Sequence, residues 1–245
     1  MNNQKMQLLS LVLAAAIALG SVTAFADGEP AAPETTETTE IASRETEGSW
    51  SGNTYTDNQG IVYELNDDGQ TVTLTVGRSA TGAITIPDAI EKGGTSYPVT
   101  SVGNSAFVNC RQLVSVTFSG DVGGIGNYAF YDCDALNTVT FSGNVGSIGD
   151  YAFVNCDALN TVTFSGDVGS IGNFAFYGCG ALENVTFPGN VGSIGGRAFY
   201  SCDALESVTF SGDVGSIGDY AFQYCTELTT IYVPASTTED TIDMI

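Results

Sequence analysis

Residues 148–170 read IGDYAFVNCDALNTVTFSGDVGS, and close variants of this stretch recur along the chain. The six cysteines mark the period, because they follow one another at intervals of 23 residues: Cys110, Cys133, Cys156, Cys179, Cys202 and Cys225. A fixed period of this length is the signature of a solenoid, in which each unit buries its apolar face only against its neighbours. The sequence therefore predicts a repeat solenoid whose core contains columns of identical side chains.

The apolar residues change their spacing within each repeat. Phe130, Cys133 and Leu136 are three residues apart, which is typical of a tight helical turn, whereas Val139 and Phe141 are two apart, as in a strand. A glycine-bearing turn and a second extended piece over the sequence VGSI are expected to complete the unit. Stacked copies would place their strands side by side at about 4.8 Å in a parallel sheet.

An asparagine or aspartate follows the strand in successive repeats, at Asp121, Asn144, Asp167, Asn190 and Asp213. One interpretation is a polar ladder that bonds to the backbone of the next coil. The other is a local turn residue, because the sequences SGN and SGD have turn chemistry. We favour the local turn.

The recurring cysteine also has two interpretations. Six cysteines in an exported chain are typical of a disulfide framework, and neighbouring coils bring the Cα atoms within bridging range. However, the cysteine recurs as part of the repeat, as the leucine and phenylalanine do, which favours a small buried apolar residue with a free thiol. No Cys-x-x-Cys pair occurs, so the sequence supports no redox or metal role.

The composition limits the chemistry that the chain can perform. It has 28 Asp and Glu against 6 Lys and Arg, a formal net charge of -22, so nucleic acids and anionic membrane surfaces are repelled. It has no histidine, which excludes Ser-His-Asp and Cys-His triads and histidine-ligated metals. Acidic pairs such as Asp132 with Asp134 lack the dense oxygen ligands of a calcium loop. We therefore expect no catalytic, cofactor-binding or metal-binding residues.

The N-terminus has the features of an export signal. Lys5 precedes an apolar run over residues 8–19 that is short for a membrane span, and Ala24-Phe25-Ala26 matches a small-x-small cleavage site. No membrane insertion is expected after cleavage. The predicted domains are a signal peptide at 1–26, a disordered acidic Thr/Glu/Pro linker at 27–48, an N-terminal β cap at 49–100 with Trp50 over the open end of the core, the 23-residue repeats at 101–234, and a C-terminal tail at 235–245.

The pattern I-G-x-x-A-F-x-x-C-x-x-L-x-x-V-T-F, repeated over about residues 97–234, resembles leucine-rich repeats of the BspA type. The resemblance implies a right-handed coil with a parallel β-sheet on its concave face and short helical turns on the other side. It also implies a secreted or surface-displayed bacterial protein that binds host matrix proteins or other cells, and it brings no catalytic residues.

The residues that flank the inward valine of each strand are expected to form a threonine-rich concave face with almost no charge: Thr117, Thr138, Thr140, Thr161, Thr163, Thr186, Thr209 and Tyr232. Such a face suits an extended protein or glycan partner, although threonine is also simply a soluble strand former, and that interpretation is slightly favoured. A second candidate surface is aromatic, with Tyr128, Tyr151, Phe174 and Tyr220 at one position, interrupted by Arg197, and Tyr131, Tyr177 and Tyr200 at another.

We therefore expect a secreted or cell-surface, non-catalytic binding or adhesion module for an extracellular protein or glycan. A structural or spacer protein of the cell envelope, without a specific ligand, is the first alternative. A carboxylate-dependent hydrolase is the less favoured one.

Overall fold

The computed structural model describes residues 48–234. The predicted signal peptide, the linker up to residue 47 and the tail at 235–245 lie outside the described residues. Within this range the chain forms seventeen strands, and it contains no helix that could cross a membrane. The strands are β1 (Gly48–Ser51), β2 (Thr54–Asp57), β3 (Val62–Leu65), β4 (Val72–Val76), β5 (Gly82–Ile86), β6 (Ala89–Lys92), β7 (Thr95–Val102), β8 (Leu113–Phe118), β9 (Gly124–Ile125), β10 (Thr138–Phe141), β11 (Val145–Ile148), β12 (Thr161–Phe164), β13 (Val168–Ile171), β14 (Asn184–Phe187), β15 (Val191–Ile194), β16 (Ser207–Phe210) and β17 (Thr230–Tyr232).

The strands form two large sheets. The first sheet has seven parallel strands in the order β17-β16-β14-β12-β10-β8-β5. The second sheet has ten strands, in which the VGSI strands β11, β13 and β15 continue through β9 and β7 into the antiparallel strands β1 to β4. Because each coil contributes one strand to each sheet, the chain is a parallel β-solenoid, and the predicted fold class is confirmed.

The register of the sheets places identical residues against each other. Val139 pairs with Val162, and Phe141 pairs with Phe164, one repeat further along. Inside the coil, the rings of Phe153 and Phe176 lie 5.0 Å apart and nearly parallel. Cysteine, leucine and alanine form buried columns in the same way. A coil therefore buries its apolar side chains only because an almost identical coil follows.

The predicted short helical turns are wrong, since residues 48–234 contain hydrogen-bonded turns in their place. Tyr128 and Asp132 adopt left-handed backbone conformations, with φ of 57° and 56°, and these interrupt any helix. The amides of Phe130 and Asp132 donate to carbonyls of the next coil, at 2.7 and 3.0 Å. The three-residue spacing of Phe130, Cys133 and Leu136 therefore reflects successive turns, in which local bonds such as that from the Leu136 amide to the Cys133 carbonyl combine with bonds between coils.

The favoured local-turn interpretation of the Asp and Asn residues is also wrong. The backbone N–H of Asn144 donates to Oδ1 of Asp121 at 2.7 Å, and that of Asp167 donates to Oδ1 of Asn144 at 2.9 Å. The same bond recurs from Asn190 to Asp167 and from Asp213 to Asn190. These side chains form a polar ladder, because each satisfies a backbone donor that the coil itself leaves unpaired.

The N-terminal strands bring their own aromatic cluster. Trp50 is half-buried against the core, with its ring 5.4 Å from that of Tyr55 and 5.7 Å from that of Tyr97. Its Nε1 donates to the carbonyl oxygen of Glu91 at 2.9 Å, and Nζ of Lys92 lies 4.3 Å above its ring. These contacts attach the first strand to the hairpin of β6 and β7.

Candidate functional site

The predicted binding residues lie together on the outward side of the first sheet. Along β10, Val139 and Phe141 are buried while Thr138 and Thr140 point outward, and the other strands of the sheet alternate in the same way. We call this set the threonine face: Thr117, Thr138, Thr140, Thr161, Thr163, Thr186, Thr209 and Tyr232.

The threonine face consists of two rows in register. The first row runs in order through Thr117, Thr140, Thr163, Thr186, Thr209 and Tyr232. The second row contains Thr138 and Thr161, with Ser115, Asn184 and Ser207 at the equivalent positions. Neighbours lie about 4.8 Å apart along a row, and the two rows are about 6.6 Å apart. The face thus presents a regular array of hydroxyls and methyls without a charge in either row.

The two rows differ in how their hydroxyls are used. In the second row, Thr161 Oγ1 donates to Oδ1 of Asn160 at 2.8 Å. Within residues 48–234, the hydroxyls of Thr140, Thr163 and Thr186 form no hydrogen bond with other protein groups. Because a hydroxyl can both donate and accept, the first row has the greater unused capacity to bind a polar partner.

A second surface follows the turns between successive coils. We call it the turn edge, and it consists of Tyr128, Tyr131, Tyr151, Phe174, Tyr177, Arg197, Tyr200, Tyr220 and Tyr224. The rings of Tyr128 and Tyr151 stack 5.0 Å apart, and those of Tyr151 and Phe174 stack at the same distance. The guanidinium of Arg197 continues this column, 5.7 Å from the ring of Phe174 and 4.9 Å from that of Tyr220.

Tyr224 belongs to the turn edge although it falls outside the predicted aromatic series. In the repeat it occupies the position of Asn109 and Asp132, and it shares their left-handed backbone, with φ of 64°. Its ring meets that of Tyr200 edge-on, with centroids 4.9 Å apart. The sequence alone could have indicated Tyr224 as a surface residue, since a tyrosine replaces a turn residue at this position only in the last repeat.

The cysteines form an interior column of free thiols. Each thiol donates to a backbone carbonyl of the preceding coil, as Cys156 does to Phe130 at 3.1 Å and Cys179 to Phe153 at 3.1 Å. Burial raises the pKa of the Cys156, Cys179 and Cys202 thiols, which keeps them protonated and unreactive. Only Cys225, in the last coil, is partly exposed.

Thiol titration should therefore distinguish the folded from the unfolded protein. In denaturant without reductant, all six thiols are expected to react with a chromogenic disulfide reagent. In the native protein, Cys225 is expected to react first, with the other five slower because they are buried. Fewer than six reactive thiols in denaturant would show that disulfides form.

Within the part of the chain that the structure describes, no group of three or more Cys, Asp or Glu side chains is placed to hold a metal ion. What these residues offer is instead two long outward surfaces, one neutral and hydroxyl-bearing, the other aromatic.

Comparison with solved structures identifies similar solenoids. A leucine-rich repeat protein of Treponema pallidum is 24% identical, covers 71% of this chain and 90% of its own, and superimposes with a TM-score of 0.54. A leucine-rich cell surface protein of Faecalibacterium prausnitzii is 30% identical, with a TM-score of 0.53 over 74% of this chain. This chain covers only 55% of that protein's length. A comparison with curated proteins finds no match.

The repeats themselves match a family model. The model of the BspA type leucine-rich repeat region matches residues 89–188 and 146–242, with six copies, which is more than half of the chain. The matched ranges include the repeats that form the buried columns and most strands of the two sheets. The chain belongs to the family of proteins with leucine-rich repeats of the BspA type.

Proposed function

We propose that this protein is a secreted or cell-surface, non-catalytic binding module, whose threonine face binds an extended extracellular protein or glycan. The observation that carries the proposal is the register of the first sheet, which aligns six outward side chains in one row with free hydroxyls at its centre. The description of the Faecalibacterium relative as a cell surface protein supports an extracellular location.

The regular spacing of the face determines the kind of partner that it suits. Hydroxyls about 4.8 Å apart allow many weak polar contacts along an extended chain, rather than one deep pocket. Because both rows are uncharged, the face neither attracts nor repels a partner by charge of its own. Its rigidity also helps. The strands are held by a packed core, so little conformational freedom would be lost on binding.

The test is a triple substitution of the first row, Thr140→Glu, Thr163→Glu and Thr186→Glu, assayed on arrays of host matrix proteins and bacterial glycans. For each array component that the wild-type chain binds, the affinity of the variant is expected to be at least about tenfold lower. The reason is that three hydroxyl contacts with the partner are replaced by charges. The matched control is Ser147→Glu, Ser170→Glu and Ser193→Glu, which places the same three charges on the second sheet at the same spacing. Equal binding by both variants would refute a role for the threonine face.

The alternative is a structural spacer of the cell envelope. It is favoured by one feature, namely that the buried columns and the ladder stabilise the coil without any help from the threonine face. A spacer should show no saturable ligand on the same arrays.

A further inference from the structure

We propose that the turn edge is a second docking surface, independent of the threonine face, and that it binds a segment rich in arginine and lysine from another protein. Three features support this inference: the exposure of its rings, the backbone conformation at which they are held, and the distribution of charge around them.

Three rings of the turn edge remain exposed to solvent although they contact other side chains of the edge. Tyr128, Tyr220 and Tyr224 are 42%, 55% and 58% exposed, and they are among the most exposed large apolar side chains between residues 48 and 234. A row of half-polar aromatic rings is the composition typical of contact surfaces.

The backbone at the first aromatic column argues against a purely structural origin for the rings. Tyr128, Tyr151, Phe174 and Tyr220 have φ between 55° and 60°, a left-handed conformation that is costly for bulky side chains and that glycine or asparagine adopts most easily. Ser105 occupies the equivalent position of an earlier coil with φ of 56°, so the turn forms without a ring. Bulky rings kept at such positions, with Tyr128 and Tyr220 exposed at the two ends of the column, point to recognition.

The charge around the turn edge favours a basic partner. Asp134, Asp157 and Asp203 are exposed at equivalent positions of three coils, in the short turn that follows the turn carrying the rings. Of the ion pairs between described residues, only the pair from Arg111 to Asp134, at 3.4 Å, neutralises one of them. Arg197 is the sole cationic residue between positions 112 and 234, so these coils contain many more carboxylates than basic side chains.

Arg197 also shows how a guanidinium contacts these rings. It lies between Phe174 and Tyr220, at distances from both ring centres that fall within the range of cation–π contacts. The outer rings of the column, Tyr128 at one end and Tyr220 at the other, each have one neighbour within the column and remain exposed. An arginine of a partner can stack on these rings, while carboxylates of the neighbouring turns bind other basic side chains of the same segment.

The test uses a labelled peptide of eight Gly-Arg repeats, titrated into the full chain at physiological salt, with a Gly-Lys peptide of the same length for comparison. The arginine peptide is expected to bind saturably and more tightly than the lysine peptide, because guanidinium stacks on aromatic rings. The triple variant Tyr128→Ser, Tyr151→Ser and Tyr220→Ser, which installs the residue of position 105, is expected to bind about tenfold more weakly or worse.

Two matched controls separate recognition from general attraction by negative charge. Val76→Ser removes an apolar side chain that is 41% exposed and belongs to neither the threonine face nor the turn edge, and it should leave the affinity unchanged. Asp157→Asn with Asp203→Asn should weaken binding more than Asp67→Asn with Asp88→Asn, although both double variants change the net charge equally. If the triple variant does not fold, Tyr220→Ser alone is compared with Val76→Ser, and a loss of about twofold to threefold is expected for Tyr220→Ser.

Four results would overturn the proposal. If the serine variants bound the arginine peptide with wild-type affinity, the attraction would be due to diffuse negative charge only. Equal losses of affinity in the two double aspartate variants would lead to the same conclusion. A serine variant that converts a dimer into a monomer, measured by sedimentation, would show that a second copy of the chain occupies the turn edge. The absence of saturable binding by the wild-type protein would exclude a basic partner.

Discussion

Replacement of Phe176 by alanine is expected to cost about 3–5 kcal/mol of unfolding free energy, because a large ring is lost from the centre of the core. Phe176 is fully buried, and its ring stacks 5.0 Å from both Phe153 and Phe199. Its neighbours belong to the coils above and below and are fixed by the sheets, so they cannot collapse into the space left behind. Denaturation followed by circular dichroism measures this loss.

A solenoid adds a second expectation for the same variant. Each coil contacts only its neighbours, so a weakened central interface should divide the cooperative unit, and the unfolding curve should broaden or separate into two transitions. The control is Phe222→Ala in the last coil, where the ring is 8% exposed and stacks on one neighbour, Phe199, at 5.4 Å. A smaller loss with a single transition is expected there. Equal losses in both variants would contradict the account of stacked columns.

Gly169→Ala is the second substitution with a large expected effect, about 2–4 kcal/mol or a failure to fold. A Cβ at this position would lie 2.2 Å from the carbonyl oxygen of Gly146 in the preceding coil. That atom belongs to the backbone of a paired strand, so it cannot move aside as a flexible side chain would. The two coils would have to separate, which would break the bonds of the second sheet.

Gly180→Ala is the matched control for this prediction. A Cβ at Gly180 has no atom within 4 Å, and the residue does not have a left-handed backbone. The substitution is expected to leave stability unchanged or to raise it by about 0.4–1 kcal/mol, because alanine restricts the unfolded chain. If both glycine variants had the same midpoint in denaturant, close packing between coils would not explain the recurring glycines.

The period of the sequence was sufficient to predict the solenoid, because it states directly which residues meet. Val139 and Phe141 recur 23 residues later as Val162 and Phe164, and the sheet pairs them in that register. The two-residue apolar spacing of Val139 and Phe141 also indicated the first strand of the unit correctly. The position of the threonine face followed from alternation along those strands, since an inward valine fixes an outward threonine on either side.

The turns could not be predicted in the same way, because bonds such as that from the Phe130 amide to the Ala152 carbonyl connect positions far apart in the sequence. A spacing of three fits a helical turn and a stacked series of turns equally well, and only the left-handed backbone at Tyr128 distinguishes them. Likewise, an aspartate after a strand has the same local chemistry whether it closes its own turn or accepts an amide from the next coil. The aromatic column of the turn edge was visible as a series, but its stacking and exposure depend on how one coil lies on another.

The order of acids and amides in the polar ladder affects which coils such a protein can lose or duplicate. Asp121, Asn144, Asp167, Asn190 and Asp213 alternate between acid and amide, so two carboxylates never occupy adjacent coils. Loss of the coil that carries Asn144 or Asn190 would bring two of these acids within about 4.8 Å of each other, where like charges repel, whereas loss of the coil that carries Asp167 would bring two amides together. Loss or duplication of two adjacent coils keeps acids and amides alternating, so a change by a pair of coils avoids this repulsion wherever in the ladder it falls.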